Sequence, residues 1–214
     1  MKMDLAALRA HYERADLREE QAGTEPFRLF GTWFEEAAAA DTGEPNAFTL
    51  ATVDPAGQPR ARILLLKGFD TRGFVFFTNY NSRKGREMEA APLAAMVFWW
   101  PQVERQVRID GRIEPVTAEE SDAYFAERPR GSQLGAWASM QSETVASRDD
   151  LERQLAEAEE RFEGRAVPRP EHWGGYLLVP TRFEFWQGRP NRLHDRLEYR
   201  AIDEARWAVY RLAP

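Results

Sequence analysis

The stretch AFTLATVDPAGQPRARILLLKGFDTRGFVFFTNY, residues 47–80, decides the fold. Three runs rich in β-branched, aliphatic and aromatic residues (AFTLATVD, RARILLLKGF and GFVFFTNY) are separated by PAGQP and DTRG. Both spacers are turn chemistry: proline pre-sets φ, glycine tolerates positive φ, and aspartate bonds its own downstream backbone. Strand runs joined this way read as antiparallel hairpins.

Downstream, NSRKGREMEAAP reads as a short helix capped by Asn81 or Ser82. LAAMVFWW, a turn at PQVE, and RQVRIDGRIEPV continue the sheet, with Asp110-Gly111 either a hairpin turn or a bulge. TAEESDAYFAERP opens on a Thr117/Glu120 capping box and is stopped by Pro129. SRDDLERQLAEAEERFEG is a helix from a Ser147 cap to Gly164, and VPRPEHWGG is a linker. YLLVPTRFEFWQG and RLEYRAIDEARWAVYRLAP complete the sheet. Upstream, EPFRLFGTWFEEAAAAD is a helix starting near Pro26 that buries Phe27, Phe30, Trp33 and Phe34. Residues 1–22 read as a charged amphipathic helix with Leu5, Leu8 and Tyr12 at helical spacing. With no repeat and no second-domain boundary, the expectation is a single domain over residues 1–214, mainly β with peripheral helices (α+β). An antiparallel barrel is its simplest form, since closure removes exposed sheet edges.

Composition excludes several classes. At 43% hydrophobic and 30% charged, the chain is that of an ordinary globular protein. No apolar run approaches the ~20 residues of a spanning helix, and the N-terminus lacks a signal peptide's apolar centre, so no membrane partner and a cytoplasmic location are expected. The absence of cysteine removes disulfides, thiolate metal sites and iron–sulfur clusters, and His11, His172 and His194 are too scattered for a structural zinc. A net charge of -6 argues against a general nucleic-acid binder. Yet Arg60, Arg62, Lys67, Arg72, Arg83, Lys84 and Arg86 fall between positions 60 and 86, opposed only by Asp70. A local basic field in an acidic chain suits a small anionic ligand.

Three clusters could bind such a ligand. In RILLLK, Arg62 and Lys67 lie five apart and face opposite sides of a strand unless a bulge intervenes, so they serve different phosphates or different ends of one ligand. In FFTNYNSRKG, Arg83 and Lys84 sit in the first turn of a helix, where cations oppose the dipole and favour an intervening anion. Tyr124 and Arg128 are four apart on one helix face, with Ser132 just past the Pro129 stop, a set able to surround a second phosphate. Edge-strand charges, a solvated helix end and a solvated turn are the plain alternatives. No nucleophile elbow, Walker motif, metal-binding histidine pair or dinucleotide fingerprint is present. Anion-binding groups and aromatics without catalytic machinery fit an enzyme whose cofactor carries the chemistry.

Taken together, RILLLKGFD, VFFTNYNSRKG, ERQVRIDG, YFAERPRGSQLGAWAS, QSE, WGGY and FEFWQGRPNRLHDR resemble the pyridoxine/pyridoxamine 5′-phosphate oxidase family, in order from RAHY near the N-terminus to the terminal RLAP. The resemblance implies a homodimeric split β-barrel of the FMN-binding type, with FMN at the subunit interface. It implies oxidation of pyridoxamine or pyridoxine 5′-phosphate to pyridoxal 5′-phosphate, with O2 as acceptor and H2O2 as by-product. Flavin contacts then fall on Arg62, Ile63, Leu64, Leu65, Leu66 and Lys67, and on Phe77, Thr78, Arg83 and Lys84. Further flavin contacts fall on Gln106, Gln141, Ser142, Trp186 and Arg196. The substrate phosphate falls to Lys67, Tyr124, Arg128 and Ser132, and the substrate ring to Arg192 and His194, the pair expected to act in catalysis. Arg9 and Tyr12 match an N-terminal lid segment over about residues 1–22, and Arg189 has no assigned role. His11, Phe48 and Glu143 depart from the family's usual residues. Two other functions are compatible with the same binding groups: a related flavin oxidase of another aromatic acid, such as a phenazine precursor, and a carrier that binds flavin or pyridoxal phosphate without turnover.

Overall fold

The computed structural model describes residue 12 and residues 14–40, 43–203 and 205–214. The stretch forms strands joined at both expected turns, but the middle run RARILLLKGF breaks after Leu65 into two strands that stand at opposite ends of the strand order. Strands β1 (Ala47–Val53), β2 (Pro59–Leu65), β3 (Gly68–Asp70) and β4 (Gly73–Asn79) follow one another, with β3 and β4 antiparallel. In the first turn Gly57 takes a φ of 83°, and Asp54 Oδ1 accepts from the Ala56 and Gln58 amides. At the start of β4, Gly73 has a φ of 151°, and a Cβ there would lie 2.1 Å from the Leu178 carbonyl oxygen, so only glycine fits.

Helix α3 (Arg83–Ala90) is capped by Ser82, whose hydroxyl accepts from the Gly85 amide, which decides between the two cap residues. Strands β5 (Leu93–Trp100) and β6 (Arg105–Pro115) flank a 3-10 turn over Pro101–Val103. Asp110-Gly111 is not a hairpin turn. β6 runs straight through it, and Gly111 is needed because a Cβ would lie 2.3 Å from the Val179 carbonyl oxygen. The strand order is β2-β1-β5-β6-β7-β4-β3, where β7 is Trp173–Gln187; β8 (Asp195–Ala201) pairs with β7, and β9 (Trp207–Arg211) with β8.

Among the described residues, six α-helices accompany the sheet. α2 (Pro26–Ala39) buries Leu29, Phe30, Trp33 and Ala37, while Phe27 and Phe34 are only half-buried. α4 (Ala118–Glu127) carries the full Thr117/Glu120 capping box, and α6 (Arg148–Arg161) starts at the Ser147 cap. α5 (Arg130–Ala138) has no counterpart in the sequence reading. Its two glycines lower helix propensity, but Leu134 packs with Phe125, Ala158, Phe162 and Trp173, and that burial outweighs propensity. Of the expected N-terminal helix, the described residues contain only α1 (Glu19–Ala22). Residues 1–11, with Leu5, Leu8 and Arg9, lie outside the described set, and residues 14–18 are not helical.

By contact density the chain forms two compact units, residues 1–49, 95–110 and 180–214 in one, and 50–94 and 111–179 in the other. The first is held by aromatic packing: Phe30 on Phe98 at 5.1 Å, Trp33 on Phe185 at 5.2 Å, and Phe183 on Trp207 at 5.1 Å. Phe48, one of the departures, is fully buried there and stacks obliquely on Phe98, so it serves packing. The second unit buries Phe74, Phe76, Met88 and Leu178, besides the Leu134 cluster. No helix among the described residues is long and apolar enough to cross a membrane.

Candidate active site

The second unit contains two cavities that share Ile63, Leu64 and Gln141 in their walls. The larger, about 680 Å3, gathers Leu65 from the end of β2, Lys67 from the link between β2 and β3, Phe77 and Thr78 from β4, and Tyr124, Arg128 and Ser132. The other, about 600 Å3, gathers Arg62, Arg83, Lys84 and Ser142. Arg62 and Lys67 thus line different cavities, Arg62 from within β2 and Lys67 from beyond its end, where the expected strand alternation no longer applies. Leu66 is the exception among the six residues of this run: its side chain is buried in the core, leaving only its backbone for any contact.

The third cluster forms by a different local route from the expected one. Arg128 is not on the α4 helix but caps its C-terminus in extended conformation, and Ser132 lies in the first turn of α5. Pro129 ends one helix and begins the next. The Arg128 guanidinium lies 4.4 Å over the Trp173 ring, and its Nη1 is buried with no hydrogen-bond partner. Burial lowers the Arg128 pKa from its ordinary value, with the neighbouring Tyr124 opposing. Phe77 stacks on Tyr124 at 4.1 Å and on Trp173 at 5.5 Å, making an aromatic wall beside this group.

The smaller cavity is built over a buried carboxylate. Glu87, on the inner face of α3, accepts from Arg62 Nη2 at 3.1 Å and from the Thr52 hydroxyl at 2.5 Å. Arg62 Nη1 also donates to Thr52 Oγ1 at 2.6 Å and to the Leu50 carbonyl at 3.1 Å, so its guanidinium is fixed. Lys84 is buried (6% exposed) and donates to Ser82 Oγ and Gln141 Oε1. Burial, with the Arg62 charge adding to it and Glu87 opposing, pushes Lys84 down to about 8. Gln141 Oε1 also accepts from Thr78 Oγ1, and Ser142 Oγ from the Arg83 amide. Glu143 takes an ion pair with Arg86 at 3.0 Å, which explains an acidic residue after QS.

In the first unit, the turn after β7 holds Asn191 and Arg192 at positive φ, 58° and 61°. Two non-glycine residues in that region are strained, a state that persists only where surrounding structure enforces it. Arg192 is exposed and has no partner among the described residues. His194 packs on Trp186 at 4.6 Å, and its Nδ1 accepts from the Arg189 amide at 3.1 Å, which leaves the proton of the neutral ring on Nε2. Burial, then the Arg192 charge, lower the His194 pKa. Tyr12 meets both rings edge-on, at 5.7 Å from Trp186 and 5.8 Å from His194. Arg196 lies opposite Trp186 across β7–β8, donating from Nε to buried Glu184 and from Nη1 to the Ala213 carbonyl. Gln106 is half-buried on β6. Arg189 is not the solvated side chain its lack of a role suggested: it donates from Nη1 to the Ala15 carbonyl.

Glu87, Trp173 and Asn79 were missed as site residues. Trp173 stood in the WGGY motif without a role; a lone glutamate three residues after Lys84 on a short helix carries no sequence signal for burial.

The sheet order and the cavities flanking β2 and β4 are those of the antiparallel split-barrel class of proteins. The fold matches PhzG from Burkholderia lata 383 in complex with tetrahydrophenazine-1-carboxylic acid (TM-score 0.86, 32% identity, 94% of this chain and 100% of that one). It also matches a pyridoxamine 5′-phosphate oxidase-related, FMN binding protein from Nostoc punctiforme PCC 73102 (TM-score 0.71, 18% identity, 90% of this chain and 100% of that one). Residues 34–162 match the pyridoxamine 5′-phosphate oxidase family, and residues 173–214 match the pyridoxine 5′-phosphate oxidase C-terminal dimerisation region. A pyridoxine/pyridoxamine 5′-phosphate oxidase of Rubrobacter xylanophilus is 61% identical over 100% of this chain and 98% of its own length. One from Pseudomonas paraeruginosa is 60% identical, with both chains fully covered. The chain belongs to the pyridoxamine 5′-phosphate oxidase family.

Proposed function

We propose that this chain is an FMN-dependent oxidase converting pyridoxamine or pyridoxine 5′-phosphate to pyridoxal 5′-phosphate, working as a homodimer with O2 as acceptor. One observation carries the substrate class: the buried, unpartnered Arg128 Nη1 in a cavity also lined by Lys67, Tyr124 and Ser132. A buried guanidinium nitrogen is costly unless an acceptor reaches it, and a phosphate monoester brings several charged acceptors. The dimerisation-region match over residues 173–214 supports the homodimer.

The smaller cavity fits FMN. Arg62, Arg83 and Lys84 supply positive charge, Ser142 a hydroxyl, and Glu87 lies against Arg62, holding it, rather than lining the cavity. That donor set suits the cofactor's phosphate, while Ile63, Leu64 and Gln141, common to both cavities, suit its ring system. Held there by Arg62, Arg83, Lys84 and Ser142, FMN would supply a two-electron acceptor for the substrate's hydride and a route for those electrons to O2, giving H2O2.

The protein's own contribution is binding and orientation. The Arg128 group fixes the substrate phosphate and the Arg62 group the cofactor phosphate, so the two rings meet in one register. Arg192 stays cationic at any relevant pH and stabilises the substrate's phenolate oxygen. His194 would offer Nε2–H to the same ring, and Trp186, Arg196, Gln106 and Thr78 are the further residues that would hold the flavin. The amine nitrogen or alcohol oxygen gives up a proton as its carbon loses hydride; for the amine, water then replaces ammonia. Tyr12, which meets the Trp186 and His194 rings, would cover the bound substrate.

The likeness to PhzG favours a second reading, oxidation of a larger aromatic acid that lacks phosphate. That reading offers Arg128 Nη1 a carboxylate with two oxygens, whereas a phosphate also has acceptors for Lys67, Tyr124 and Ser132 in the same cavity. Anaerobic addition of pyridoxamine 5′-phosphate to the purified yellow protein separates the two: bleaching of the visible flavin band is expected. A colourless protein refutes the cofactor assignment, and a yellow protein that bleaches only with a phosphate-free aromatic acid refutes the substrate assignment.

A further inference from the structure

The N-terminal strap, residues 14–18, enters no helix and no sheet ladder. Among the described residues, the bonds reaching its backbone at positions 14–17 from elsewhere in the chain all come from side chains. Arg189 Nη1 donates to the Ala15 carbonyl at 3.0 Å. Asp195 Oδ2 accepts from the Leu17 amide at 3.1 Å, and Arg211 Nη2 donates to the Leu17 carbonyl at 2.8 Å. Glu104 Oε2 accepts from the Arg14 amide at 3.2 Å.

Three of these side chains form one network centred on Asp195. Its Oδ1 accepts from Arg211 Nη1 at 2.8 Å, and its Oδ2 lies 3.4 Å from Arg189 Nε. Arg211 continues to Glu19 at the start of α1 through two further bonds of 2.7 and 2.8 Å. An isolated exposed pair would contribute little, but here one half-buried carboxylate holds two guanidiniums and a backbone amide at once. The strap so held ends on Tyr12, seated in a slot over Gly188, where an added Cβ would lie 2.7 Å from the Tyr12 ring. Buried Leu17 plugs the other end.

We propose that Asp195, Arg189 and Arg211 form a latch that fastens the strap to the arginine-rich turn and thereby sets Tyr12 against His194 and Trp186. Asp195 and Arg189 are positioning residues for substrate retention. Asp195 follows His194 directly, and the Arg189 amide is the group that orders the His194 ring, so strap and imidazole are aligned by the same two residues. This rests on the reading of His194 as a substrate-facing donor. The latch geometry itself does not.

Asp195→Asn and Arg189→Met test it; the second keeps the amide that bonds His194 and the apolar length of the stem. Each is expected to raise the KM for pyridoxamine 5′-phosphate by about 5- to 20-fold, the scale of a lost charge-assisted contact, with kcat within about twofold of wild type. Flavin content stays the same. Because the latch acts through the strap, adding either change to Tyr12→Ala raises KM no further. In protein stripped of flavin and substrate, tryptic release of the N-terminus after Arg14 or Arg18, followed by mass spectrometry, is several-fold faster in both variants. The 15N spectrum of His194 in Arg189→Met still shows Nδ1 as the acceptor. An unchanged KM, an additive effect with Tyr12→Ala, or wild-type proteolysis rates overturn the latch. If the wild-type protein fails to oxidise these substrates, the functional reading fails instead, and the proteolysis rates alone decide the latch.

Discussion

At the scale of single residues, Arg128 and Lys84 are cations whose burial in the free protein opposes their charge. For Arg128, substitution by Met removes a guanidinium nitrogen that has no protein partner, so the unfolding midpoint of the flavin-free protein is not expected to fall. The KM for the phosphate ester should rise by roughly ten- to a hundred-fold with flavin retained. Flavin loss with normal KM would exchange the roles of the two cavities. Burial pushes the Lys84 pKa down to about 8 from its ordinary 10.5. Between those values the unfolded chain binds more protons, so the penalty on the charged amine is relieved and stability rises with pH across the window. Anion binding moves the other way, because Lys84 loses its charge as pH passes about 8. FMN affinity, followed by fluorescence quenching from about pH 7 to about pH 9, should weaken in wild type. It should stay flat in Lys84→Arg, whose charge persists; a flat wild-type profile would show that Lys84 does not sense the cofactor. Arg192→Lys keeps charge but loses the planar fork, and a yellow, folded, poorly active enzyme is the expected outcome. Arg196 is less clean a test, because its removal takes from buried Glu184 one of its two guanidinium partners among the described residues and leaves Arg108.

At the scale of elements, helix α3 couples fold stability to the cofactor cavity through its cap. The Ser82 hydroxyl accepts from both the Gly85 amide and the Lys84 ammonium. Ser82→Ala should therefore lower unfolding free energy by about 1 kcal/mol in urea titrations and also weaken FMN binding. Thr117→Ala, at the capping box of α4, should cost a similar ~1 kcal/mol without touching FMN affinity. Equal effects on FMN from both substitutions would mean that binding merely follows global stability. The caps themselves were legible in the sequence, since a hydroxyl ahead of a helix start has a local meaning. The helix α5 was not, because Gly131 and Gly135 argue locally against it and only the packing of Leu134 on Phe125 and Trp173 makes it form.

For the whole molecule, the homodimer is the property that light scattering checks directly. A mass twice that of the chain is expected, and flavin held in full by a monomer would contradict it. The sequence by itself determined the hairpins of residues 47–80, the three hydroxyl-capped helices and the cation clusters, because turn chemistry, capping and strand alternation act over a few neighbours. It also carried, through motifs in a constant order, the family to which the chain belongs. Only the tertiary structure decided that Glu87 lies buried against Arg62, that Arg128 Nη1 is left without a partner, and that Arg189 reaches back to Ala15. Burial and pairing between residues 25 or 174 positions apart depend on how distant segments pack, and no local pattern encodes that. The same reason accounts for residues 14–18, where the sequence predicts a helix: side chains from β8, β9 and the turn capture the backbone of Ala15 and Leu17 that a helix would have needed for itself.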